Sequence, residues 1–154
     1  MPDYFLDSSA AAKRYLAETG SRWIKGLFAQ WPRNGFYTVA TTGVEVVAAI
    51  SRRARGGTLS ASDAANFRTL FLLDLRADYR NVPVTDGLLD QAIHLAQKHS
   101  LRGYDAMQLA AATEVNNLRI RAGAATLIFI SGDKELNAAA QSEGLIVDNP
   151  NAHP

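Results

Sequence analysis

The chain contains no cysteine among its 154 residues. This absence excludes disulfide bonds and thiolate metal sites, and it is typical of proteins from a reducing compartment. No apolar run approaches the roughly 20 residues that a membrane-spanning helix needs. The start, Met-Pro-Asp, has no basic segment ahead of an apolar one, as a signal peptide would have. These absences predict a cytoplasmic protein without membrane attachment.

An excess of charge of one sign is also missing, since the net charge is only +1. The chain therefore lacks the overall basic field that is typical of a nucleic-acid binder. However, 12 of the 16 basic residues are arginine, which suits bidentate phosphate contacts better than lysine does. A GC-rich genome would produce the same bias. The hydrophobic fraction of 47% and the length are ordinary for a globular protein, and we expect a single domain spanning residues 1–154.

Strand-like and helix-like segments alternate along the chain, without repeats or an obvious linker. Short apolar or β-branched runs predict extended segments at residues 3–6, 36–39, 82–84, 126–130 and 145–147. Helical patterns cover residues 8–18, 20–30, the stretch after residue 39 to about 55, 61–77, 86–99, 104–118 and 134–142. This alternation predicts an α/β fold with a mostly parallel central sheet of four to five strands, flanked by helices.

Acidic residues recur where predicted strands end. Asp7 follows the first strand in DYFLDSSAAAKRY, and Asp133 follows the most clearly predicted strand in TLIFISGDKEL. Ligands of open parallel sheets bind beyond the carboxyl ends of the strands, so both side chains are expected in that crevice. Each acid also fits a simpler role as a helix N-cap, which stabilises by about 1 kcal/mol.

Two further acids accompany them on predicted helices. Asp105, in LRGYDAMQLAAAT, is either a first-turn acid favoured by the helix dipole or a residue at the rim of the core. Glu45, in TVATTGVEVVAAI, interrupts an apolar helix. It either faces solvent, paired with Arg52, or borders a buried polar site. Clustered carboxylates repel one another unless a cation joins them, and Mg²⁺ takes oxygen ligands in sites that hydrolyse phosphate esters.

Four sequence blocks carry a family resemblance. In this order and with these gaps, FLDSSAAAKRY, VEVVAAI, LRGYDAMQLAAA and FISGDKELNAAAQSEGLIVDNP resemble the PIN-domain ribonucleases, and specifically the VapC toxins of toxin–antitoxin pairs. The resemblance extends from Tyr4 to Pro150, with little signal between about 56 and 85. It implies a PIN-like three-layer α/β domain.

The resemblance also implies the residues of an acidic metal site, which are Asp7, Glu45, Asp105 and Asp133. Asp7 and Asp105 match the family positions that bind Mg²⁺, directly or through water. Glu45 and Asp133 would complete the site and orient or deprotonate the attacking water. Ser9 would support a metal-bound water, and Glu135 matches a second late acid found in some members.

The activity implied by the resemblance is Mg²⁺-dependent hydrolysis of RNA phosphodiester bonds, with Mn²⁺ as a substitute ion. Family products carry a 3′ hydroxyl and a 5′ phosphate. The resemblance further implies a cognate antitoxin whose peptide lies across the acidic groove, and a homodimer. We expect RNA contacts from three arginines: Arg14, Arg52 and Arg102. A solvated helix face explains Arg14 equally well, and the helix dipole favours a cation at Arg52 in any case.

Two other functions remain open from the residues alone. In a non-catalytic RNA- or protein-binding domain, the acids would be helix caps and surface charge. A Mg²⁺-dependent phosphatase or phosphoacceptor domain would also end its first strand in Asp, but LDSSA lacks the second Asp two residues on. The three histidines show no zinc-ligand spacing. Trp23 and Trp31 are expected to anchor the core or an interface.

Overall fold

A five-stranded parallel sheet forms the centre of this computed structural model, which describes residues 2–30 and 33–153. The strands are β1 (Asp3–Leu6), β2 (Gly35–Val39), β3 (Tyr79–Val82), β4 (Ile128–Ile130) and β5 (Ile146–Asp148). Their order across the sheet is β3-β2-β1-β4-β5, and every neighbouring pair is parallel. The first strand is therefore the central one, with β2 and β4 on either side.

In the described part of the chain, seven helices cover the two faces of this sheet. They are α1 (Ser8–Ala12), α2 (Ser21–Phe28), α3 (Thr42–Arg55), α4 (Ala61–Ala77), α5 (Asp86–His99), α6 (Gly103–Arg121) and α7 (Lys134–Ser142), followed by a 3-10 turn at Pro150–Ala152. Buried side chains of α1 to α4 pack on one face, and those of α5 to α7 pack on the other. This arrangement confirms the predicted three-layer α/β fold.

Side-chain alternation in the central strands supplies both cores. Phe5 and Phe129 point to the α5–α7 side, where their rings stack with centroids 5.8 Å apart. Leu6 and Ile130 point to the opposite side. Because successive residues of a strand face opposite sides, strands covered on both faces must be apolar at every position. This explains why YFL and IFI read as continuous apolar runs.

The first helix is shorter than the predicted helix over residues 8–18, because it ends at Ala12. The next three amides, of Lys13, Arg14 and Tyr15, bond to carbonyls three residues back rather than four, which tightens the chain into turns. The buried Lys13 ammonium then donates to the Glu18 carboxylate at 3.1 Å and to a backbone carbonyl. This buried ion pair gives the segment after Ala12 its own tertiary contacts.

Two strands begin at least two residues away from their predicted positions. The extended segment predicted over residues 82–84 lies earlier, at Tyr79–Val82, where Phe36 pairs with Tyr79 and Val39 with Val82. Pro83 has no backbone N–H and cannot continue the ladder. The fourth strand begins only at Ile128, not at residue 126, and the Leu127 N–H donates instead to a side chain of α6.

One of the two tryptophans lies within the described residues. Trp23 stacks on His153, with ring centroids 4.1 Å apart, and packs against the core of the α1–α4 face. Trp31 lies outside the described residues. Within the ranges 2–30 and 33–153, no helix is long and apolar enough to cross a membrane.

Candidate acidic metal site

The four predicted acids line one cavity of about 520 Å³ at the carboxyl edge of the sheet. Asp7 follows β1, Glu45 lies in the first turn of α3, Asp105 lies in the first turn of α6, and Asp133 follows β4. The remaining lining comes from Ser8, Ser9, Arg102, Gly103 and Tyr104. Parallel packing of β1 against β4 brings together acids that are far apart in the chain.

Asp7 is both a helix cap and the buried centre of this cavity. Its Oδ1 accepts the Ala10 N–H at 2.8 Å, as an N-cap does. Hydroxyl groups of Ser9 and Ser131 also donate to the carboxylate. Burial raises the pKa of Asp7 to about 6, and these hydrogen bonds oppose the rise while the charge of Asp105 adds to it. The two interpretations of Asp7 are therefore compatible.

Glu45 is held between α1 and α6. Its Oε2 accepts from Ser8 at 2.8 Å, and its Oε1 accepts from the Gln108 amide at 2.8 Å. Burial raises the pKa of Glu45, and both hydrogen bonds act against this rise. Its partners are these two side chains rather than Arg52, so the alternative of a solvent-facing Glu45–Arg52 pair is not what the structure contains.

Gln108 is a residue of this site that the sequence interpretation missed. Its side chain is completely buried, and its amide nitrogen also donates to the Thr42 hydroxyl at 3.0 Å. The Thr42 and Thr38 hydroxyl oxygens lie 2.6 Å apart, and Thr38 donates to the carbonyl of Leu6. This chain of hydrogen bonds fixes the amide so that it donates to Thr42 and to Glu45. The available signal was a lone glutamine within the apolar run AMQLAAA.

Ser131 is a second residue that was missed. It is fully buried, and its hydroxyl donates to Asp7 Oδ2 at 2.6 Å while accepting the Asp133 N–H at 3.0 Å. Asp133 in turn caps α7, because its Oδ1 accepts the N–H groups of Glu135 and Leu136. One hydroxyl therefore positions two acids. The signal in the sequence was a small hydroxyl residue directly after the last apolar strand residue.

Ser9 lies on the other side of the Asp7 carboxylate. Its hydroxyl donates to Asp7 Oδ1 at 2.8 Å and accepts the Gly132 N–H at 3.0 Å. Ser9 thus ties α1 to the β4–α7 turn. Glu135 is exposed and is absent from the cavity lining, although its backbone N–H contributes to the Asp133 cap.

Arg102 bridges the two outer acids. Its Nε donates to Asp105 Oδ2 at 2.8 Å, and its terminal nitrogen donates to Asp133 Oδ2 at 3.2 Å. The arginine side chain is 80% exposed, whereas that of Asp105 is 18% exposed. Arg102 is therefore a component of the acidic cavity itself.

Comparison with known proteins places this chain in a family. The family model for the PIN domain matches residues 4–141. Ribonuclease VapC45 of Mycobacterium tuberculosis (strain CDC 1551 / Oshkosh) is 31% identical over 147 residues, which cover 94% of this chain and 93% of that protein. The chain belongs to the PIN-domain family of VapC ribonucleases. PIN-domain ribonucleases generally depend on a divalent metal ion.

Solved structures share the fold of this VapC-family chain. VapBC2 from Rickettsia felis, bound to a DNA fragment from its promoter, matches with a TM-score of 0.64 at 10% identity, over 96% of this chain and 98% of that one. Mycobacterium tuberculosis VapC20, a toxin that cleaves the sarcin-ricin loop, matches with a TM-score of 0.61 at 20% identity, over 88% of this chain and 94% of that one. The observed α/β layers are thus those of PIN-domain proteins.

The residues of the cavity fit a hard divalent cation. Four carboxylates and three serine or tyrosine hydroxyls offer only oxygen donors, which is what Mg²⁺ and Mn²⁺ prefer. The charge of Asp105 raises the pKa of both Asp7 and Glu45, a repulsion that a cation would relieve. In the side-chain arrangement of the described residues, no three acids lie close enough to share one ion. Arg102 instead holds Asp105 and Asp133.

The two other arginines predicted to contact RNA have different surroundings. Arg14 lies over the Phe28 ring, 4.0 Å from its centroid, and pairs with Asp78 at 2.7 Å and Asp74 at 3.3 Å. These contacts give Arg14 a structural role away from the acidic cavity. Arg52 is exposed and lines a groove of about 780 Å³ that also includes Ser8, Ser9 and Glu45.

Proposed function

We propose that this VapC-family chain is a Mg²⁺-dependent endoribonuclease whose active site is the cavity formed by Asp7, Glu45, Asp105 and Asp133. One observation carries the proposal: four acids from four separate elements share one cavity around a buried carboxylate. A set of helix caps on the surface would not need a buried and mutually repelling group. Membership of a ribonuclease family agrees with this chemistry.

Each acid has a role that follows from its surroundings. Asp7 and Asp105 are proposed to hold the ion, because Asp7 is fixed by three donors and Asp105 faces it across the cavity. When bound, a divalent ion neutralises charge on phosphoryl oxygens and makes water more acidic. Mg²⁺ is the proposed ion, with Mn²⁺ able to replace it, because both prefer carboxylate and water ligands.

Glu45 is the proposed base for the attacking water. Burial raises its pKa, and a base whose pKa lies nearer to the working pH accepts a proton more effectively. Ser8 and Gln108 orient its two oxygens. Asp133 completes the acidic lining, and Ser9 holds Asp7 in place. Because water rather than the ribose 2′ hydroxyl is the nucleophile, no 2′,3′-cyclic phosphate should form. The family resemblance implies that the 3′ oxygen is the leaving group, so the products should carry a 3′ hydroxyl and a 5′ phosphate.

The groove that contains Arg52 is the proposed path of the RNA strand away from the cut. It shares Ser8, Ser9 and Glu45 with the acidic cavity and is also lined by Arg52 and Arg53. Arginine forks bind phosphate oxygens bidentately. Arg53 already pairs with Glu18, so Arg52 is the better candidate for a phosphate contact.

The proposal includes protein partners. The matched structures VapBC2 from Rickettsia felis and FitAcB from Neisseria gonorrhoeae, together with a toxin–antitoxin complex from Klebsiella pneumoniae, support a cognate antitoxin for this chain. A homodimer is proposed through an apolar depression of about 450 Å³ between α5 and α6, lined mainly by Val84, Leu89, Ile93 and Met107. We further propose that residues 1–154 act as a single cytoplasmic PIN-like domain.

Metal titration against RNA tests the proposal directly. The protein, purified free of any partner, is titrated with Mg²⁺ and then Mn²⁺ against an end-labelled pool of structured RNAs. Asp7→Asn and Asp105→Asn are assayed in parallel, and Asp90→Asn, an exposed position on α5, is the matched control. We expect metal-dependent cleavage, a loss on the order of 100-fold or more in the two site variants, and normal cleavage by the control.

If neither metal supports cleavage of any RNA in the pool, or if both site variants cut as fast as the parent, the nuclease proposal fails. The acids would then be helix caps, and a non-catalytic RNA- or protein-binding function would replace it.

A further inference from the structure

Arg102 has an unusual position for a surface arginine. Among the described residues, it is the one positively charged side chain that lines the acidic cavity. Its guanidinium contacts Asp105 on α6 and Asp133 before α7, two acids that are 28 positions apart by their numbers and meet only through the fold. The contact with Asp133 therefore depends on tertiary structure and is not a local helix pair.

The arrangement of Arg102 conflicts with metal binding by the same acids. Asp105 and Asp133 each turn Oδ2 toward the guanidinium, and no three acids of the described residues converge on one point. A cation in the cavity would either take the Asp105 oxygen that Arg102 holds or bind the second oxygen of the same carboxylate, beside the guanidinium charge. Two cations on one carboxylate repel each other, so binding of the ion weakens the contact between Arg102 and Asp105.

The arginine side chain is also free to leave. It is 80% exposed, and exposed ion pairs are weak because water and salt screen them. Arg102 itself is the N-cap residue of α6, yet its side chain makes no cap hydrogen bond, so rotation of the side chain would leave the helix intact. The released guanidinium stays charged at any working pH and presents a fork that matches phosphate.

We infer that Arg102 is a built-in counterion of the acidic site, which holds Asp105 and Asp133 in the metal-free protein, is displaced when a divalent ion binds, and then pairs with a phosphate of the RNA. The inference rests on the proposed function, since it concerns regulation of the same site. It makes Arg102 a competitor of the metal and a binder of the substrate. Removal of the side chain should therefore affect the two ligands in opposite directions.

The first test measures metal binding without RNA. Mn²⁺ and Mg²⁺ affinities are measured by calorimetry for the parent, Arg102→Gln, Arg102→Lys and the matched control Arg121→Gln, which removes an exposed arginine at the other end of α6. We expect Arg102→Gln to bind metal about three- to tenfold more tightly, since two exposed ion pairs no longer compete. Arg102→Lys should lie between it and the parent, and Arg121→Gln should match the parent.

A second readout follows the arginine itself. The NMR signal of the Arg102 Nε–H group, assigned by its loss in Arg102→Gln, should shift when Mg²⁺ is added to the parent protein. RNA binding is then measured with saturating Ca²⁺ in place of Mg²⁺, and Arg102→Gln should bind more weakly. The slope of log affinity against log salt should also fall by about 0.7, the loss of one phosphate contact to a single strand.

The outcomes separate this inference from the proposed function. If the parent binds metal but Arg102→Gln binds it no more tightly than the parent, or if Arg121→Gln gains as much affinity as Arg102→Gln, the counterion role is overturned while the nuclease proposal stands. An Nε–H signal that does not shift when Mg²⁺ is added would also overturn the counterion role. If the parent binds no divalent metal, the proposed function itself fails and the inference fails with it.

Discussion

Ser131 donates a hydrogen bond of 2.6 Å to the carboxylate of Asp7, although 124 positions separate the two residues. The same hydroxyl accepts the Asp133 N–H, so Ser131 links Asp7 to the β4–α7 turn. Both residues are buried, and a hydrogen bond to a charged group is stronger there than in water. Ser131 is thus a positioning residue for the centre of the site.

Replacement of Ser131 by alanine should raise the pKa of Asp7 beyond about 6, because this side chain is the strongest of the groups that lower it. We expect the acidic limb of the pH–rate profile to move upward by about one pH unit. The profile is recorded at subsaturating Mn²⁺, where protonation of Asp7 competes with metal binding. Ser51→Ala, at an exposed position of α3, is the control; an unmoved limb in Ser131→Ala would contradict the assignment.

The raised pKa of Asp7 also predicts how stability depends on pH in the metal-free protein. The folded pKa of about 6 lies above the ordinary value of 3.8, so between these values the folded state binds more protons than the unfolded state. The contribution of Asp7 to the free energy of unfolding is fully present below about pH 4 and is lost as the pH rises through about 6. The shift corresponds to about 3 kcal/mol.

Asp7→Asn should therefore unfold at a higher denaturant concentration than the parent at neutral pH, even though it is inactive. Asparagine still accepts the Ala10 N–H and caps α1, while the cost of burying a charge is gone. Urea unfolding curves at about pH 5 and pH 7.5 measure this difference. A variant that is less stable than the parent at neutral pH would show that Asp7 is stabilised as a carboxylate. Asp90→Asn controls for the charge change.

Gln108→Leu should impair catalysis more than folding. Leucine fills a similar volume in the fully buried position but leaves Glu45 Oε1 without its donor. We expect a 10- to 100-fold loss in kcat, as is usual when a residue that orients a site ligand is removed. Thr113→Val on the same helix is the control, because its hydroxyl donates only to a backbone carbonyl of that helix. Equal rates in the two variants would remove Gln108 from the site.

Arg14 and Arg52 should separate stability from RNA binding. Arg14→Gln breaks two ion pairs and a ring contact, so we expect a loss of about 1–3 kcal/mol in the free energy of unfolding and unchanged RNA affinity. Arg52→Gln should leave stability unchanged and weaken RNA binding. Urea unfolding and filter binding measure the two effects. A weaker RNA affinity in Arg14→Gln, with normal stability, would restore Arg14 as an RNA contact.

Ile93→Glu should disrupt the proposed homodimer. Ile93 is 67% exposed at the edge of the apolar depression between α5 and α6, where a buried carboxylate would be unpaired. Sedimentation should show a monomer for this variant and a dimer for the parent. Leu73→Glu replaces an exposed leucine on α4, outside the depression, and should remain dimeric. A monomeric parent protein would exclude the homodimer.

The order and kind of the elements were available from the sequence by itself. The helix boundaries of α4, α5 and α7 match their predicted ranges, because apolar spacing and capping residues are local signals that survive in any fold. The positions of Asp7 and Asp133 after apolar strands were also readable. In a parallel sheet, a residue that follows a strand lies at the carboxyl edge whichever neighbours the strand acquires.

Tertiary structure decided which of these groups meet. The pairing of β1 with β4 placed Asp7 beside Ser131, and the packing of α6 placed Gln108 against Glu45 across 63 positions. The tertiary structure also pairs Arg14 with Asp78 and places Arg102 between two acids. Periodicity reports the face on which a residue lies, whereas a hydrogen bond between distant side chains depends on the distance between elements, which no local pattern contains.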